Sequence, residues 1–155
     1  FVLSCLFYIA ERFNVVGPAA PLVAEAGEDL ILPCSLQPNI SAEGMMVEWL
    51  RTDLTDGLVH LYKDYKDTND DQIKTYRGRT ALFKEELKKG NTSLKLSALQ
   101  PSDEGSYKCF SCYFLPFFLK THFYVCNSIR SSLSIFFYLK ILHTFFLGGT
   151  GALAS

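Results

Sequence analysis

The stretch Asp103-Glu104-Gly105-Ser106-Tyr107-Lys108-Cys109 decides the fold. Its first three residues are turn formers. After them Tyr107 and Cys109 fall on one face of an extended segment, and Ser106, Lys108 and Phe110 on the other. Cys109 stands 75 residues after Cys34, and Trp49 lies between them, 15 residues past the first cysteine (34 to 49). In a two-sheet sandwich of about 100 residues this spacing puts one cysteine on each sheet, so that a disulfide crosses the core with the indole packed against it. On the chain-entropy account, closing so long a loop stabilises a fold by roughly 4 kcal/mol. Tyr107, two residues before the second cysteine, is placed for a tyrosine corner in which its hydroxyl bonds back to the backbone.

Working outward, the chain from Val15 to Ser111 shows short period-two stretches broken by turn residues, and helical periodicity is not sustained anywhere in it. Leu30, Leu32 and Cys34 share one face; Val47 and Trp49 share another; Val59 and Leu61 alternate with His60 and Tyr62; Leu94 and Leu96 alternate with serines and Lys95. Gly17-Pro18, Pro38-Asn39, Asp56-Gly57 and Gly90-Asn91 supply turns. Residues 63–72 read as a charged, solvated loop. Its Asp67, Asn69, Asp71 spacing faintly echoes a calcium loop, but Gln72 stands where that loop needs glycine and Gly78 where it needs a bidentate glutamate.

The 155 residues suffice for one domain with appendages, and a formal charge of −1 offers no basic field for nucleic acid. That balance hides an asymmetry. Every Asp and Glu lies at or before Glu104, whereas residues 110–155 carry only Lys120, Arg130 and Lys140 as formal charges and are rich in Phe, Leu and Tyr. Residues 1–10 read as the back half of a secretory signal peptide, residues 11–111 as the domain, and residues 112–155 as an atypical apolar tail. The tail has three readings: translated non-coding sequence from a gene-model error, a weak membrane anchor, or the source of a substitute last strand at residues 120–125. As an anchor, residues 133–147 fall short of the roughly 20 residues needed, with Lys140 near the centre. If Cys5 leaves with the signal, Cys112 and Cys126 remain, and pairing together, pairing between chains and staying free are all open to them.

The motifs resemble the immunoglobulin V-set domains of the butyrophilin and myelin oligodendrocyte glycoprotein family. Phe13-Asn14-Val15-Val16-Gly17-Pro18 is similar to that family's opening, Gly44-Met45-Met46-Val47-Glu48-Trp49 to its third strand, and Val59-His60-Leu61-Tyr62 to the strand after it. Tyr76-Arg77-Gly78-Arg79-Thr80-Ala81-Leu82 and residues 102–109 complete the likeness, which runs from about residue 12 to 111. It implies an all-β, Greek-key V-type sandwich, its last strand uncertain because the pattern ends after Ser111. It also implies an ion pair between Arg79 and Asp103. Two sequons, at Asn39 and Asn91, lie in expected turns, and the family carries one in the loop that holds the first.

Nothing points to catalysis. His60, His122 and His143 are scattered, no glycine-rich phosphate loop or nucleophile elbow is present, and no metal or cofactor is expected. Function is therefore expected from a surface. In V-set domains the sheet of strands C, C′, F and G is the usual recognition face, and simple alternation puts Glu48, Leu50, His60, Tyr62, Lys108 and Phe110 on its outer side. The resemblance implies a cell-surface or secreted protein that binds a receptor or ligand on another cell and modulates T-cell responses. The alternative is homophilic adhesion.

Overall fold

The computed structural model describes residues 13–115 and the strands Phe123–Ser128 and Phe137–Leu142. In chain order the strands are β1 (Asn14–Val16), β2 (Leu22–Glu25), β3 (Leu30–Leu32), β4 (Ser35–Gln37), β5 (Met45–Arg51), β6 (Leu58–Lys63) and β7 (Lys66–Thr68). They continue with β8 (Thr80–Leu82), β9 (Leu94–Leu96), β10 (Gly105–Leu115), β11 (Phe123–Ser128) and β12 (Phe137–Leu142). A one-turn helix, α1 (Lys84–Leu87), follows β8, and single 3-10 turns stand at Lys74–Tyr76 and Pro101–Asp103. One sheet has the order β2-β12-β10-β5-β6-β7, with β11 also on β10; the other is β3-β9-β8; β1 pairs with β4.

β5 shows why these residues make a sandwich. Met45, Val47, Trp49 and Arg51 are buried while Met46, Glu48 and Leu50 between them are half-buried, the period-two signature of a strand with one face on a core. Leu32 on β3 and Leu94 and Leu96 on β9 close over them from the second sheet, all fully buried. Each such side chain contributes about 1.5–3 kcal/mol relative to exposure. Cys34 and Cys109 are joined by a disulfide, with their Cα atoms 6.7 Å apart. Trp49 is the cross-strand partner of Cys109, and its indole N–H donates to the Thr92 carbonyl at 3.0 Å, so no polar atom of the ring is stranded.

The structure differs from the sequence reading at residues 63–72 and again after Ser111. Residues 63–72 are not all loop: Lys66–Thr68 forms β7 against β6, joined by the two-residue turn Asp64-Tyr65, both with positive φ (52° and 62°). Turns of this kind usually advertise themselves as Asn-Gly or Asp-Gly, and Asp-Tyr does not. Gln72 is buried and donates to the Val59 carbonyl at 2.7 Å, tying the end of this segment to β6.

The sheet also continues past Ser111. β11 pairs with the second half of β10, from Phe110↔Ser128 to Leu115↔Phe123, close to the edge strand expected at residues 120–125. β12 pairs with the first half, from Gly105↔Leu139 to Tyr107↔Phe137, and lies parallel to β2. Tyr107 and Phe110 are three residues apart, whereas their partners Phe137 and Ser128 are nine apart. One edge of β10 is thus filled in succession by two segments with extra chain between them. Of the run read as a weak anchor, residues 137–142 are sheet, and the rest lies outside the described residues, as does the signal-peptide reading of residues 1–10. No helix among the described residues is long and apolar enough to cross a membrane.

Candidate functional site

Opposed residues of an antiparallel ladder share a face. Because Trp49↔Cys109 and Val47↔Ser111 face the core, Leu50↔Lys108 and Glu48↔Phe110 face outward. All four of these outer side chains are half-buried. The Lys108 ammonium sits 4.8 Å from the Phe110 ring centroid, a cation–π contact that holds the ring against the sheet. Burial raises the Glu48 carboxyl above its ordinary pKa, as expected of an acid set among Leu50, Leu61 and Phe110. The result is an apolar strip carrying one carboxylate and one ammonium on a rigid sheet.

His60 and Tyr62 do not belong to this strip, contrary to the sequence reading. They are 2% and 3% exposed and point inward, as the ladder partners of Trp49 and Val47. The cause is a register shift between Trp49 and Leu50: Leu50 pairs with Leu58, Trp49 pairs with His60, and Val59 is the extra residue. A bulge inverts the parity of everything beyond it, so Leu61, opposite Glu48, takes the outward place. Inside, the His60 ring bonds Thr80 Oγ1 through Nδ1 (2.9 Å) and Asp67 through Nε2 (3.1 Å), linking β6 to β8 and β7. Tyr62 donates its hydroxyl to the Glu43 carbonyl at 2.9 Å. Burial lowers the His60 pKa, against the pull of Asp67.

The strip is held from below. Arg79 and Asp103 form a bidentate pair, Nη1 to Oδ2 at 2.9 Å and Nη2 to Oδ1 at 2.7 Å, with the Asp103 side chain 2% exposed. The Asp103 carboxylate also accepts from the Gln100 N–H. Tyr107 donates to the Asp103 carbonyl at 2.6 Å and lies 2.8 Å from the Tyr76 hydroxyl; burial raises its pKa. Sequence reasoning missed Arg51. It follows Val47 and Trp49 on the core parity of β5, and a charge at such a position signals a hidden partner. Its guanidinium makes five bonds: two to Asp53, one to the Tyr76 hydroxyl, and one each to the carbonyls of Ser102 and Glu104. That pairing holds the Asp53 carboxyl at about 2.

The two sequon asparagines differ. Asn39 is exposed, whereas Asn91 is half-buried, bridges to Ser35, and accepts the Ser93 N–H on its side-chain carbonyl. Among the described residues no group of three or more His, Cys, Asp or Glu side chains is gathered around a metal-sized space.

Two facing sheets, a core disulfide with an indole beside it, a tyrosine corner and an Arg–Asp clamp below define an immunoglobulin-type domain. The family model described as the immunoglobulin V-set domain matches residues 17–125, and the chain belongs to that family. Human myelin-oligodendrocyte glycoprotein is 41% identical over 101 residues, which cover 65% of this chain and 40% of that protein. Human V-set domain-containing T-cell activation inhibitor 1 is 36% identical over 104 residues, covering 67% and 36%. A crystal structure of bovine butyrophilin superposes with a TM-score of 0.61 at 29% identity, covering 83% of this chain and 54% of that one. The chain thus spans well under two thirds of the length of these curated relatives.

Proposed function

We propose that this domain is the recognition module of a butyrophilin-like protein at the cell surface, binding a protein on another cell through the outer face of β5, β6 and β10 and thereby modulating T-cell responses. The observation that carries this reading is the strip of Glu48, Leu50, Leu61, Lys108 and Phe110: apolar area with one charge of each sign, on a sheet that does not have to move in order to bind. Interface cores favour aromatic and aliphatic side chains with few charges around them. The kinship with a protein named as a T-cell activation inhibitor supports the T-cell arm. Binding without catalysis is part of the same reading, so a hydrolase screen is expected to be empty.

Fluorescent tetramers of the secreted chain, applied to resting and activated T cells, test it. Staining is expected, with at least a tenfold loss for Phe110→Ala and for Leu61→Ala. Staining that both variants retain in full would overturn the assignment of the face. Self-association of the chain in sedimentation, without T-cell staining, would replace the reading with homophilic adhesion.

A further inference from the structure

Five cysteines are present, and the core disulfide uses Cys34 and Cys109. Cys112 lies on β10 two residues beyond Phe110 and shares its outward parity, so it is on the other side of the sheet from the core disulfide. It is 1% exposed and is disulfide-bonded. β11 brings Cys126 directly opposite it, inside a six-pair ladder. We propose that Cys112 and Cys126 form a second disulfide, across adjacent strands on the outer side of the sheet, which fixes β11 to β10 beside the recognition strip.

Opposed positions of an antiparallel pair bring Cβ atoms to about 4.5–5.5 Å, and closer at non-hydrogen-bonded sites; diagonal neighbours stand at about 7–8 Å. A disulfide needs about 3.5–4.5 Å, so only an opposed pair is within reach. The strand has a use for the bond. β11 has β10 as its one ladder partner among the described strands, and a strand held along one edge opens at low cost. In forming the disulfide the two thiols lose their hydrogens as two protons, the sulfurs join, and two electrons pass to a small disulfide oxidant such as oxidised glutathione, which leaves as two thiols.

The test uses the full chain secreted from cells, alkylated under denaturing conditions without reduction, digested and mapped by mass spectrometry. The expected result is one linked peptide pair joining Cys112 to Cys126 beside the Cys34–Cys109 pair. Alkylation of Cys112 or Cys126, or linkage of Cys112 to Cys5 or to a second chain, would overturn the proposal. A double Cys112→Ser, Cys126→Ser variant keeps the core disulfide and reads out the tether. Amide exchange is expected to rise at least tenfold over residues 110–115 and 123–128 and to stay constant in β3 and β9; unchanged exchange over the first two stretches would refute the tethering role. The pairing does not depend on the proposed function, since mapping decides the bond and cell staining decides the face.

Discussion

Gly105 is a position where a single methyl group should do damage for a reason particular to this molecule, because it would meet the Arg51 guanidinium. A Cβ there would lie 2.5 Å from Arg51 Nη2 and 2.6 Å from both Cζ and Nε, where unstrained contacts need about 3.5 Å. A surface arginine would swing away, but this one is 5% exposed with all five N–H groups engaged. A shift of about 1 Å stretches the bonds to the Ser102 and Glu104 carbonyls past useful length. Hydrogen bonds to a charged group contribute about 1.5–3 kcal/mol each, and replacing glycine in an extended segment returns about 0.4–1 kcal/mol through the unfolded chain. Gly105→Ala is therefore expected to cost about 3 kcal/mol. In an Arg51→Leu background, where the side chain ends at Cδ, the same substitution should be neutral within about 0.5 kcal/mol or mildly stabilising. Urea unfolding followed by the fluorescence of Trp49, the chain's one tryptophan, measures all four corners of the cycle. An equal cost of Gly105→Ala in both backgrounds would refute the steric argument.

Asp103→Ala strands the Arg79 guanidinium, 14% exposed, without its carboxylate. The expected cost is about 3–5 kcal/mol, read as a fall in melting temperature of more than about 10 °C, with Asp103→Asn losing less because it can still accept from Gln100. His60 is buried with a lowered pKa, so the unfolded chain binds the extra proton first, near pH 6.5. Stability should be fully present above that value and fall as pH drops from it to the folded pKa, by at most about 1.4 kcal/mol per pH unit; His60→Asn should remove that component, and identical pH profiles for the two proteins would contradict it. Glycan mapping of secreted protein should find Asn39 occupied and Asn91 largely bare, and a fully occupied Asn91 would count against the burial argument.

Much of this was legible in the sequence because it rests on local rules. The turn at 103–105 and the alternation of Tyr107 and Cys109 placed a strand, and the positions of Cys34, Trp49 and Cys109 left one economical way to bury them together. The Arg79–Asp103 pairing came from family likeness rather than from any local rule, and in the structure it is bidentate. On the outer strip, Glu48, Leu50, Lys108 and Phe110 followed from parity alone, since β5 and β10 are regular where they pair across it.

Parity fails wherever a residue is inserted, and an insertion is decided by the neighbouring strand. Nothing in Leu58-Val59-His60-Leu61-Tyr62 says that Val59 is extra; that depends on how β6 fits against β5, and it exchanged His60 and Tyr62 for Leu61 on the outer face. Three of the five bonds of Arg51 go to Tyr76, Ser102 and Glu104, far along the chain, so most of its role exists only once the sheets close. The last edge of β10 is the same kind of problem. Two apolar segments without strict alternation take it in turn because the open hydrogen-bonding groups of β10 and β2 accept them, a choice made by the sheet and invisible in either segment alone.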